Sequence, residues 1–212
     1  MYVPEHFYET SSDEICRIIR DFPLGTLITQ GANGLDANQL PFELMQTGKE
    51  NGLLRAHVAR ANPIWKDVAE NDETLVVFKA TDAYISPNWY PSKHETHRLV
   101  PTWNYQVVNV HGRIRFIDDA KFLRSVVGRL THTHESKTEG QAAWRMGDAP
   151  RDYMAAMLDA IVGVEIAITR IVAKSKLSQN REARDRVSAA EVLAQHGHAE
   201  LSEAMKFADR QR

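Results

Sequence analysis

The sequence holds one cysteine, Cys16, in 212 residues. A single thiol rules out a disulfide framework and suits a reducing cytosol. It lies among Ile15, Ile18 and Ile19 in a helical pattern, which makes it a small packing residue rather than a nucleophile. No window approaches ~18 uninterrupted apolar residues, so no membrane-spanning helix is expected. The opening MYVPEHFYET has neither the basic region nor the apolar run of a signal peptide. Neither sign of charge dominates: 26 Lys and Arg face 28 Asp and Glu, and the net charge of −2 gives no global pull toward nucleic acid or an anionic membrane. Glycine-rich phosphate motifs are missing too, with no GxGxxG after a strand and no GxxxxGK[ST], so dinucleotide and P-loop sites of the usual kind are excluded. A GxSxG nucleophile elbow, internal repeats and low-complexity segments are all absent. These absences together predict a soluble cytoplasmic protein.

What remains is an ordinary globular chain, 43% hydrophobic and 25% charged, long enough to bury a sizeable core. Its most informative stretch is YISPNWYPSKHETHRLVPTWNY, residues 84–105. Tyr84, Trp89, Tyr90, Trp103 and Tyr105 are half of the protein's four Trp and six Tyr. Pro87, Pro91 and Pro101 interrupt it, which predicts neither a regular helix nor a central strand. Long loops in compact domains are functional or disordered, and this aromatic content argues against disorder. Such a segment suits the wall of a site for something planar, or a subunit contact.

Around it the pattern predicts mainly strands. Ser11 with Glu14 offers a capping box, and Ile15, Ile18, Ile19 and Phe22 follow at helical spacing until Pro23. Residues 24–30 read as a strand, Asn33-Gly34 as a hairpin turn, 35–44 as the return strand and 53–58 as a third. Asn62 can cap a helix opened by Pro63 and running to about residue 70. Strands are expected at 74–79 and 105–116, then a helix from Asp118, a loop over 135–147 and a helix after Pro150. A half-buried strand follows over 164–169, and two helices from Ser188 are broken at Gly197. Six strands mostly in hairpin order favour an antiparallel barrel over a doubly wound sheet.

Several constellations carry chemistry. In HVARANP, residues 57–63, a strand end bearing His57 and Arg60 runs into a helix opened by Asn62-Pro63, which gathers donors where an anion can sit; a capped helix with a surface arginine is the plain alternative. Lys93 follows Pro91-Ser92, and the stretch 174–181 is rich in cations and amides. There, Gln179 and Asn180 can read a heterocycle edge or simply belong to a solvated loop. His94 with His97 and His132 with His134 lack companions at zinc spacing, so no metal site is expected. Residues 170–186 are basic and precede two short helices around Gly197. Glu200 and Glu203 on the second helix oppose a DNA-reading role, and a helical pair covering a barrel end or a dimer seam is the better reading.

MYVPEHF (1–7), HVARANPIW (57–65), DAYISPNWYPSK (82–93), VPTWNYQVVNVHGRIRFIDD (100–119) and KLSQNR (176–181) occur in an order that resembles the PaiB-type proteins. These are FMN-binding negative transcriptional regulators of the flavin-binding split-barrel superfamily. The resemblance implies a mainly β chain with added helices, a six-stranded antiparallel split β-barrel with a C-terminal helical pair. With the two C-terminal helices read above, the expected division is a barrel domain over 1–186 and a helical appendage over 187–212. The resemblance also implies a homodimer with FMN where two subunits meet. Carried onto this chain, His57, Arg60 and Asn62 form the phosphate region. Ser86, Lys93, Trp103, Asn104 and Tyr105 line the aromatic side, and Lys176, Gln179 and Asn180 the late loop. The family name implies regulation through DNA, which the charge does not support independently. A flavin-dependent oxidoreductase acting on a small molecule is the alternative, and a haem-binding split barrel a more distant one.

Overall fold

The computed structural model describes residues 1–46 and 52–208. Strand β1 (Tyr8–Glu9) precedes helix α1 (Ser12–Asp21), which is followed by β2 (Leu24–Gly31), β3 (Gly34–Pro41), β4 (Glu43–Met45) and β5 (Leu53–Ala59). A single turn, α2 (Ile64–Asp67), leads to β6 (Glu73–Ile85), α3 (Pro91–Thr96) and β7 (Thr102–Ile117). Then come α4 (Ala120–Thr138), α5 (Arg151–Asp159), β8 (Ile161–Lys176), α6 (Ala183–Gln195) and α7 (Ala199–Phe207).

The strands form one sheet in the order β3-β2-β6-β7-β8-β5-β4, with β1 added on β8. The pairings of β1 with β8, β2 with β3 and β6, and β5 with β4 and β8 are antiparallel. The expected six strands are therefore a correction: the sheet has eight, and its order runs open from β3 to β4 rather than closing. The two extra strands are the two-residue β1, too short to leave a period, and the three-residue β4, which the expected strand over 35–44 had joined to β3.

Local chemistry explains the elements. Asn33-Gly34 makes the β2–β3 turn, with Gly34 at φ 104°, a conformation that favours glycine. Gly112 lies at a core-facing position of β7, where a Cβ would come within 2.6 Å of the Ala167 carbonyl oxygen, so the close approach of β8 needs glycine there. Ser11 Oγ accepts from the Glu14 amide at 3.3 Å, the expected half of a capping box. The other half comes from Glu9, whose Oε1 accepts from the Ser11 amide. The prolines of the aromatic stretch open turns rather than dissolving structure: Pro87 starts a 3-10 turn over Pro87–Trp89 and Pro91 starts α3. Helix α4 continues to Thr138 across part of the expected loop. Strands β6 and β8 are far longer than their periodic segments, and β7 extends its expected span by three residues at the start and one at the end.

The chain divides into two compact units. The first comprises Met1–Ile18, Lys79–Val108 and Val172–Arg212, and its core gathers Ile85, Tyr90, Leu177, Leu193, Leu201 and Met205. Its last four residues, 209–212, with the end of the expected second C-terminal helix, lie outside the described residues. The second unit comprises Ile19–Phe78 and Asn109–Ile171, with Leu27, Phe42, Leu54, Phe78, Ile114 and Ile166 buried. Along β6 the buried positions are Thr74, Val76, Phe78 and Ala80, then Ala83 and Ile85. Parity changes at Thr81-Asp82, where the buried face of the strand switches.

Candidate functional site

In the first unit, alternation along β7 buries Asn104, Gln106 and Val108 and turns Trp103 and Tyr105 to the other face. The Trp103 ring meets Tyr84 of β6 edge-on, with centroids 6.1 Å apart. Both rings are about half exposed, at 53% and 47%. Cations come from the end of β8 and the turn after it. The Lys176 ammonium donates to Thr102 Oγ1, and Lys174 lies 5.3 Å from the centre of the Tyr105 ring. Arg181 sits 5.7 Å from the Tyr90 ring centre. Burial pushes the Lys176 pKa down, the phenol of Tyr105 pulls it up, and neighbouring Lys174 and Arg181 push it down further. Among the described residues no carboxylate is paired with Lys174, Lys176 or Arg181.

Behind this wall lies a buried polar network. Asn104 Nδ2 donates to Ser178 Oγ at 2.9 Å and approaches Met205 Sδ at 3.4 Å, while the Tyr90 hydroxyl meets Ser178 Oγ at 3.1 Å. Asn104 Oδ1 is buried with no hydrogen-bond partner. Burial raises the Tyr90 pKa. The Gln179 amide is engaged at both ends within its own turn, accepting from the Leu177 amide at 2.7 Å and donating to the Ser175 carbonyl at 2.6 Å. Asn180 is exposed beside it. Ser86 Oγ accepts from the Asn88 amide, and Lys93 is half-buried in α3. Its neighbour Ser92 is buried, donating its amide and hydroxyl to Asp185 of α6 at 3.0 and 2.5 Å.

His57, Arg60 and Asn62 belong to the second unit. Arg60 grips Asp118 through both terminal nitrogens, at 2.7 and 2.6 Å, and donates to the carbonyls of Asp159 and Ile161 at 2.6 and 3.0 Å. These hydrogen bonds hold the Asp118 carboxyl below its ordinary range and raise the Arg60 pKa. The Asn62 side chain accepts from the Ile64 amide at 3.0 Å just ahead of α2, whose N-cap is Pro63 and which ends at Asp67 rather than near residue 70, and donates to Asn38 Oδ1 at 2.7 Å. His57 faces Gly163 across the β5–β8 ladder. Its Nδ1 is buried with no partner, and burial lowers its pKa so that the neutral imidazole is favoured. The structure thus separates the eleven residues singled out in the sequence into eight in the first unit and three in the second.

Two arrangements escaped the sequence reading. Glu165, 2% exposed, accepts from Arg55 Nε at 2.7 Å and Arg115 Nε at 2.8 Å. Near the chain start, Gln106, 2% exposed, donates to Glu14 at 2.8 Å and to Ser175 at 3.0 Å. A glutamine in the buried parity of β7 was the one available sequence signal for the second.

The family model described as "Putative FMN-binding domain" matches residues 1–170. The chain belongs to this family of FMN-binding domains. It is 31% identical to the protein AN0679 of Emericella nidulans, over 88% of this chain and 87% of the relative. It is 28% identical to the Bacillus subtilis protease synthase and sporulation protein PAI 2, over 91% of this chain and 89% of the relative. This second relative agrees with the PaiB-type resemblance read from the motifs. Among solved structures, the FAD and heme binding protein of Mycobacterium smegmatis shares the fold with a TM-score of 0.55 at 19% identity, over 86% of this chain and 79% of that one. The fold is therefore a mainly antiparallel, split-barrel-like sheet with added helices. No helix among the described residues is long and apolar enough to cross a membrane.

Proposed function

We propose that the protein binds FMN at a site completed by a second copy of the chain. In this reading it acts as a PaiB-type negative transcriptional regulator in the cytoplasm, with affinity for its DNA target following the state of the flavin. The observation that carries the reading is a set of three cations without carboxylate partners: Lys174 and Lys176 near the Tyr105 ring, and Arg181 against Tyr90. Cations and flat rings are what a phosphorylated isoalloxazine requires, and Asn104, buried behind that wall, supports it through Ser178. Half-exposed Trp103 and Tyr84 suit burial against another subunit, where aromatic residues are enriched. Lys93, Ser86 and Asn180 complete the proposed wall, with Gln179 shaping its turn. Arg60 and Asn62, engaged with Asp118 and α2, frame the second unit, and His57 stands in the same frame. When bound, the flavin supplies hydride or electron chemistry, while these side chains bind and orient it.

The test is a titration of purified protein with FMN, FAD and haemin, followed by light scattering with and without FMN. FMN is expected to bind at one per chain, to a dimer, more tightly than FAD or haemin. Affinity should fall as pH rises, beginning below the ordinary lysine value of 10.5 because Lys176 loses its proton early. A monomer that ignores FMN would sink the proposal. For the regulator role, a DNA fragment from the protein's own promoter region should shift differently with oxidised and reduced flavin.

A flavin-dependent oxidoreductase is the second reading. Two observations bear on it: the depressed pKa of Lys176 suits proton delivery, and the exposed Glu200 and Glu203 on α7 weigh against the DNA-binding reading. Substrate-dependent bleaching of bound FMN without any DNA shift would select it.

A further inference from the structure

We propose that the first unit carries a second site, for a small organic amine with a hydrocarbon body. A cavity of about 540 Å³ opens there, within the range of small-molecule sites. One wall is a continuous hydrogen-bonded chain. Arg17 holds Glu14 through Nε and a terminal nitrogen at 2.8 and 2.9 Å, and Gln106 donates to Glu14 and to Ser175. Ser175 Oγ then donates to Glu9 at 3.0 Å, and Glu9 accepts from the Ser11 amide on its other oxygen at 2.9 Å. Gln106 and Ser175 are 2% and 3% exposed, so this wall is built into the fold rather than draped on its surface.

The Gln106 amide, the Ser175 hydroxyl and the Ser11 amide are engaged within that chain, and Arg17 also reaches Glu200 at 3.9 Å. What it still offers are carboxylate lone pairs on Glu9 and Glu14, and Glu5 adds a third carboxylate to the lining. No Lys or Arg is among the described lining residues. Arg17 offsets Glu14, while Lys174 is turned to the Tyr2 carbonyl and the rings of Phe7 and Tyr105. His6, Tyr8 and Thr10 also line the cavity, but three carboxylates outweigh one imidazole, which favours a ligand that brings N–H donors and positive charge. Val3, Leu177, Ala204 and Phe207 add apolar surface to the lining, which suits methylenes rather than a second charge. Of the residues proposed for FMN only Gln179 lines this cavity, so the two sites are separately testable.

Calorimetric titration of the full chain with n-hexylamine, against n-hexanol and hexanoate, tests this with and without FMN. The amine is expected to bind and the alcohol and acid not to. Glu9→Gln should weaken it roughly tenfold or more, the effect of losing a charge-assisted hydrogen bond. Glu5→Gln, at an exposed residue with little influence on folding, should weaken it severalfold. FMN affinity should be unchanged in both variants. No amine binding at millimolar concentration, equal binding of the alcohol, or an unchanged Kd in Glu5→Gln and any folded Glu9→Gln would overturn the site, whatever FMN does.

Discussion

Arg60 and Lys176 are both cations at strand ends, and they stand in opposite chemical situations. Arg60 follows β5 and is closed: a carboxylate fills its fork and two carbonyls take further N–H groups. Lys176 ends β8 and is open: one hydroxyl, from Thr102, is its hydrogen-bond partner, other cations crowd it, and partial burial lowers its pKa. Charge in the first case holds the frame together, whereas in the second it is left for something else to neutralise. The same contrast separates Glu165, enclosed by Arg55 and Arg115, from Glu9, whose partners are one amide and one hydroxyl.

The contrast can be broken most forcefully at Glu165. Glu165→Ala leaves Arg55, 23% exposed, without its anion while Arg115 can turn to solvent, and should cost about 1–3 kcal/mol in denaturant unfolding, with FMN affinity per folded molecule unchanged. Lys176→Met should do the reverse, weakening FMN roughly tenfold or more while moving stability by less than about 1 kcal/mol. A large loss of stability with intact FMN binding would move Lys176 to the structural side. Arg60→Ala should lower the melting temperature by less than Glu165→Ala and leave the FMN Kd in place. Its sign with pH follows from Asp118, whose folded pKa lies below the ordinary 3.8. The pair's contribution is complete above that value and lost as pH falls below it, so the melting curves of Arg60→Ala and wild type should converge in acid. The smallest effect is expected for Tyr90→Phe, which removes one hydroxyl from Ser178 and should cost about 0.5–1.5 kcal/mol in thermal or denaturant unfolding.

Much of the frame was legible in the sequence because it rests on local rules. Asn33-Gly34, Pro63 and Gly197 each mark a turn or a helix boundary where the structure has one, and the periodicity of β2, β5 and α5 is visible by eye. The long strands were read short because their ends obey tertiary context. Residues 80–85 switch parity at Thr81-Asp82, and residues 170–176 look like a basic loop although Tyr8 and Glu9 pair with Lys174 and Ala173. The candidate wall was half legible. Aromatic content flagged Trp103 and Tyr105, but whether a cation is paired depends on neighbours distant in sequence. Asp118 lies 58 residues from Arg60, and nothing in HVARANP announces it.

The grip of Asp185 on Ser92 has a consequence for exchange with heavy water. Backbone amides in the first turn of a helix usually lack an intrahelical acceptor and trade their protons readily. That of Ser92 instead points into a buried carboxylate carried by α6. Its deuterium uptake should therefore clock the lifting of the C-terminal helices, one amide reporting on a motion some ninety residues further along the chain.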